Sequence, residues 1–252
     1  MANIYSIIKS MFINSMKGKF TYLKLFLLIT INTLSQEFKG ADLLKKAISY
    51  HDPNSKWDSF DGDFIVTSES PKRSIRKSII SLNNSESFFG IEVQQDKNII
   101  TSILDNNDCS ILFNGKFDYS NEIKDKYQLD CERVKYLRNY YTYLYGLPMK
   151  LNDPGTIIEP NVEKRTINGE EYWVLKATYE ESVGRDTWYF FFDKQTFALK
   201  RYQFFHDESK NDGEYILLND EILVEGIKMP KNRSWYFNSN DKFLATDRLS
   251  VE

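Results

Sequence analysis

The sequence predicts a mainly β protein of the α+β class: a large curved antiparallel sheet with helices in or over its concave side. Three observations carry this expectation. Ten or more short segments of alternating apolar residues follow one another along the chain, separated by turn-forming residues. Only two stretches show helical spacing. Phe, Tyr and Trp, at 18, 16 and 4 copies, make up 15% of the 252 residues, enough ring surface to build a core without metals or staples. A sheet of so many strands does not stay flat, because strand twist accumulates until the sheet curls or closes.

The N-terminus reads as an export segment. Residues 1–35 hold four lysines and no acid. From Met16 the order is a lysine-bearing head (MKGKFTYLK), an apolar run (LFLLITINTL) and small residues before Gln36, the pattern of a secretory signal cut after Ser35. Residues 1–15 read as an extension ahead of the working start. The apolar run is about ten residues where a spanning helix needs about 20, so no stable membrane span is expected after signal removal. The expected division is a leader and signal peptide over 1–35 and one domain over 36–252, exported to a periplasmic or extracellular compartment.

The first helix is expected over 41–50, ADLLKKAISY, with Ala41, Leu44, Ala47 and Ile48 on one face and Lys45 and Lys46 opposite. Pro53 disfavours helical geometry at Asp52, so His51-Asp52-Pro53 ends it. Strands are expected at 60–67, 74–82, 87–94, 99–104 and 109–113, with breaks at SESPK, NNS, QQDK and DNND. The second helix is expected over 131–145. Cys131, Val134, Leu137, Tyr141 and Leu144 recur at helical spacing, with Asp130 as cap and Gly146 and Pro148 as the stop. Tyr136, Tyr140 and Tyr143 on its other side predict a helix that is largely covered. Asn168-Gly169, between VEKRTI and EEYWVLKATY, is the strongest hairpin signal, because both turn residues accept positive φ. Further strands are expected at 187–193, 199–206, 214–218, 222–229, 233–238 and 243–250. TWYFFFD is apolar on both alternating faces and so predicts a strand covered on both sides.

Charge narrows the partners. Beyond residue 35 the chain carries 29 basic against 36 acidic residues, a net charge of −7 with no basic stripe, which argues against nucleic acid. Cys109 and Cys131 are either a disulfide formed in an oxidising compartment or two separate buried thiols. Two cysteines and two histidines give no support for a metal site, and no cofactor signature is present.

Catalytic motifs are weak. There is no GxSxG elbow, SxxK or P-loop. His51 beside Asp52 invites a hydrolase reading with both in a cavity mouth, but neighbours in sequence near a helix end point in different directions. The structural alternative is an imidazole held at the helix C-terminus with Trp57 packed over the turn. His206, at a strand end, reads as incidental. LNDPGT reads as a turn rather than a calcium loop, because the alternating ligand spacing is missing. Candidate cavity-lining residues are Trp57, Met149, Trp188, Phe190 and Tyr202, since ligand pockets are lined mainly by apolar and aromatic side chains. For Met149 the alternative is a buried helix-to-strand corner. Which strand faces point inward is left open, because a one-residue shift exchanges the two sets.

Four segments carry a resemblance: AISYHDPNSKW, YLYGLPMKLNDPGT, DTWYFFFD and GIKMPKNRSWYF. In these the chain resembles a family of uncharacterised secreted bacterial proteins, similar in architecture to lipoprotein carriers of the LolA type. The resemblance implies an open half-barrel with helices over an apolar cavity, holding a lipid or other apolar small molecule. It carries no residue role, because the carriers share no motif that can be placed position by position here. The expected function is therefore non-catalytic binding or carriage of a lipid or lipoprotein acyl chain. The alternatives are the hydrolase at His51 and Asp52, and a cell-surface interaction module that encloses no ligand.

Overall fold

In the computed structural model the described residues are 38–251, and the expectations placed on the leader, the signal and its cut lie outside them. The chain opens with helix α1 (Gly40–His51) and then runs through five strands: β1 (Asp61–Ser70), β2 (Arg73–Asn83), β3 (Phe88–Gln95), β4 (Asn98–Asp105) and β5 (Asp108–Phe113). Helices α2 (Asn121–Tyr127) and α3 (Cys131–Tyr145) follow. Eight strands complete the fold: β6 (Thr156–Ile158), β7 (Glu163–Ile167), β8 (Glu170–Tyr179), β9 (Thr187–Asp193), β10 (Leu199–Phe205), β11 (Glu214–Val224), β12 (Ile227–Phe237) and β13 (Phe243–Ser250).

All thirteen strands join one antiparallel sheet in the order β5-β4-β3-β2-β1-β13-β12-β11-β10-β9-β8-β6, with β7 also on β8. Two consecutive meanders are thus fused where β1 meets β13. The ends β5 and β6 do not pair, so the sheet is an open half-barrel, as expected. Topology also explains why helices fill the concavity: the chain must cross from the β5 edge to the far edge between these strands, and α2 and α3 lie on that crossing.

Register fixes the inward face. Phe64 opposes Ile80, Ile80 opposes Ile91, and Leu82 opposes Phe89. On the other half Leu175 opposes Phe190 and Tyr202 opposes both Phe190 and Ile216. These residues form one buried core with Leu43, Leu44 and Ala47 of α1 and Val134, Tyr141 and Leu144 of α3. The strand β9 is covered on both sides, as its composition predicts. On the outer face Val174, Tyr189 and Phe191 form a second buried group. The Arg165 guanidinium lies 4.3 Å from the Tyr189 ring centroid and that of Arg201 5.2 Å from the Phe191 ring, so cationic stems roof this patch.

Several local expectations need correction. The buried stripe of α1 is Gly40, Leu43, Leu44, Ala47 and His51, with Ala41 exposed, so the face is rotated by part of a turn. On the aromatic side of α3, Tyr140 and Tyr143 pack against the core but Tyr136 is 54% exposed, so the cover on that side is partial. Helix α2 and strand β6 were not expected. The break expected near Asn219-Asp220 is no turn: β11 runs through it, Asp220 taking a φ of 56°, and the turn falls at Glu225-Gly226, with φ 48° and 87°.

Cys109 and Cys131 are bonded, with Cα atoms 6.0 Å apart. The bond ties the N-terminus of α3 to the edge strand β5. Asp130 caps the same helix end, its Oδ1 accepting from the Arg133 N–H at 2.8 Å. Closing a loop between residues 22 apart should contribute on the order of 3 kcal/mol, mainly by restricting the unfolded chain. Calorimetry of a Cys109→Ala/Cys131→Ala variant should show the melting temperature lowered by about 10 °C; an unchanged melting temperature would contradict this role.

Candidate functional site

A cleft of about 640 Å³ opens at one mouth of the concavity. Its walls are the tip of the β2–β3 hairpin (Leu82, Asn83, Asn84, Ser87, Phe88), the C-terminal half of α3 (Arg138, Asn139, Thr142, Tyr143), and the segment from Tyr179 to Trp188, with Lys150 and Asp153 nearby. A second hollow of about 630 Å³ lies between α1 and the turn at Met149–Asn152, but no aromatic side chain lines it. Convergent aromatic walls with a few polar groups are the common composition of small-molecule sites, and that singles out the first.

Trp188 forms the aromatic corner of this cleft. Its ring stacks on Phe204 at 4.8 Å and on Phe190 at 5.9 Å, and Tyr143 meets it edge-on at 5.5 Å. The corner is therefore held rigidly before any ligand arrives. Beside it the hydroxyls of Tyr143 and Tyr179 hydrogen-bond to each other. Burial pushes the Tyr179 phenol up to about 12 and that of Tyr143 well above its ordinary value, so both stay protonated at neutral pH. Two hydroxyls sharing one bond leave one O–H free to donate into the cleft.

The cleft's charges are unevenly matched. Lys150 pairs with Asp153. Asp186 Oδ1 lies 2.7 Å from Nδ1 of His206, whose side chain is 62% exposed; the bond to Asp186 raises the imidazole pKa. Among the described residues Arg138, half-buried on α3, reaches only the side-chain oxygen of the adjacent Asn139, at 3.4 and 3.5 Å.

The structure distributes the candidate residues as follows. Trp188 lines the cleft. Phe190 and Tyr202 face the same side of the sheet but are fully buried beneath the helices, at 0% and 1% exposure. Met149 sits in the buried corner after α3, the structural alternative for that segment. Trp57 is buried against Gly146, where a Cβ would come within 2.3 Å of the indole; glycine is required there by close approach.

His51 and Asp52 are buried and do not line the cleft. His51 Nε2 accepts from the Leu199 N–H at 2.9 Å, which leaves the proton on Nδ1, 2.6 Å from the Lys228 carbonyl. Burial lowers its pKa, in keeping with this neutral tautomer. The Asp52 carboxylate accepts from the N–H groups of Lys56 and Trp57, each at 2.8 Å, and so folds the turn. Neither group is free to abstract a proton. Among the described residues there is no cluster of three metal-ligating side chains and no helix long and apolar enough to cross a membrane.

The cleft residues missing from the sequence reading include Leu82, Arg138, Tyr179 and Val183. They come from three distant segments that only the fold brings together. Tyr143 stood out as part of an aromatic belt, but nothing local showed that it faces an opening.

Comparison with known proteins gives three findings. The sequence profile of a family of unknown function, DUF6503, matches residues 17–252. No curated protein matches the chain. Solved structures that align with it include a LolA superfamily protein from Nitrosomonas europaea, 12% identical over 84% of this chain and 92% of that one, with a TM-score of 0.47. A DUF1329 family protein from Desulfovibrio piger is 8% identical over 84% and 91%, with a TM-score of 0.45. The fold assignment rests on the strand pairing above.

Proposed function

This chain belongs to the DUF6503 family of unknown function, and from that premise we propose that it is an exported, non-catalytic protein that binds an apolar ligand, a lipid or acyl chain, in the cleft beside Trp188. The observation that carries the reading is the cleft itself, an opening of about 640 Å³ in the size range of small-molecule sites, with a preassembled aromatic corner. Each methylene removed from water there contributes roughly 0.8 kcal/mol, so a chain needs only part of its length buried for useful affinity. Export is supported by the signal-like order of residues 16–35 and by the Cys109–Cys131 bond, which persists in oxidising compartments. The buried, doubly bonded His51 removes the motive for the hydrolase reading.

Native mass spectrometry of gently purified protein should show a retained lipid-sized adduct, and a fluorescent fatty acid should bind to the stripped protein. Val183 lines the cleft and is 56% exposed, so Val183→Asp should fold normally yet weaken fatty-acid binding about tenfold by replacing apolar wall with charge. A clean protein mass together with no binding of the fluorescent probe would end the carrier reading.

A further inference from the structure

We infer that the ligand of the Trp188 cleft is an anionic amphiphile whose head group, a carboxylate or phosphate monoester, is held by Arg138. This deepens the apolar-ligand reading and rests on it. The cleft is lined by charges of both signs. Its two carboxylates are already engaged, Asp153 by Lys150 and Asp186 by His206. Among the described residues the Arg138 guanidinium makes no ion pair, and its contacts are confined to the amide oxygen of the next residue. An arginine half-covered by protein and unmatched by acid is a fork of donors without an acceptor, and carboxylate and phosphate oxygens are the acceptors that fit it bidentately.

The remaining polar wall points the same way. The Tyr143–Tyr179 pair offers a spare O–H donor and is held protonated by burial, so it adds a neutral donor to the wall that carries Arg138. Placement then separates head from tail. Arg138 lies five residues before Tyr143 on α3, about 7.5 Å along the helix axis. The aromatic corner of Tyr143 and Trp188 therefore lies well beyond the cation, and Val183 lines the same cleft. A molecule with its anion on Arg138 can lay its chain toward that corner.

The test compares laurate, monolauryl phosphate and methyl laurate on the full chain and on Arg138→Gln, at low and high salt. Both anions should bind the native protein at least tenfold more tightly than the methyl ester, with the preference shrinking in salt. Arg138→Gln should collapse that preference to near unity, and Arg138→Lys should keep part of it. A preference absent from the native protein, or intact in Arg138→Gln, overturns the assignment of Arg138 while leaving apolar binding in place. Inorganic phosphate that binds as tightly as monolauryl phosphate overturns it too, because the site would then be a plain anion site. Failure of all three lauryl compounds to bind would remove the apolar-ligand reading and this one with it.

Discussion

His51→Ala is expected to destabilise the protein by about 3–5 kcal/mol, because it opens a hole and strands two buried backbone groups at once. The ring is fully buried at the last turn of α1 and joins three elements. Its Nε2 satisfies the Leu199 N–H at the start of β10, and its Nδ1–H satisfies the Lys228 carbonyl on β12. No water-sized replacement restores both bonds at that geometry without also filling the ring's place. Urea denaturation should therefore show a lower midpoint at an unchanged slope. His51→Gln can still present an acceptor and a donor, and should recover part of the loss. The same ring sets a pH dependence. Its folded pKa lies below the ordinary 6.5 because burial disfavours the cation, so between the two values the unfolded chain binds more protons. Its contribution is complete above about pH 6.5 and is lost as pH falls toward the folded pKa. Subtracting the His51→Gln profile from the native one should expose a step in that acid window. A difference flat with pH would show that the ring does not titrate as a buried neutral base.

These side chains also show how far the sequence could be read. Strands β2, β3 and β13 were legible because alternation and turn chemistry agree there, β9 because it is an unbroken aromatic run, and the Asn168-Gly169 turn takes positive φ at both positions, at 52° and 85°. The β11–β12 hairpin was misplaced because Asn219-Asp220 has turn composition yet lies within a strand, whereas Glu225-Gly226 carries a weaker local signal. Helix α2 buries no residue, so it left no apolar period; its trace was the Ser120 cap on the Ile123 N–H. Within the site, Trp188 and Phe190 share a parity on β9 and Tyr202 opposes Phe190 on β10, so the three face one side of the sheet, but parity alone left open which side points inward. Which of them meets solvent depends on where α3 crosses the sheet, and that is a property of the crossover between sheet edges rather than of any local pattern. The neutral His51 was invisible for the same reason: its partners lie 148 and 177 residues away.

Arg233→Met should cost about 3 kcal/mol even though methionine roughly preserves the apolar stem, because it unties the buried Leu144 and Pro230 carbonyls and removes a buried positive charge from the strand pair that also carries the buried Asp247 carboxylate. Arg233 on β12 is 1% exposed, and its antiparallel register partner on β13 is Asp247, at 7%. The guanidinium is held by the carbonyls of Pro230 at 2.9 Å and Leu144 at 3.4 Å, and its carbon lies 3.9 Å from the centroid of the Tyr145 ring. Leu144 is in the last turn of α3, so this cation answers an orphan carbonyl at the negative end of the helix and clamps α3 to the sheet. Asp247 accepts from Ser68 and from the Trp235 indole, which steady the carboxylate but do not neutralise it. Two effects are thus combined, and they can be separated. If charge balance dominates, Arg233→Met/Asp247→Asn will lose much less than the sum of the two single variants. If the clamp dominates, the losses will add, and hydrogen exchange will speed up in the last turn of α3 in both variants lacking Arg233. Since Arg138 and Tyr143 ride on the same helix, the clamped case carries a further expectation: Arg233→Met will also weaken ligand binding at the cleft, without touching a cleft residue. A variant as stable as the native protein would show that the guanidinium neither clamps α3 nor balances the carboxylate of Asp247.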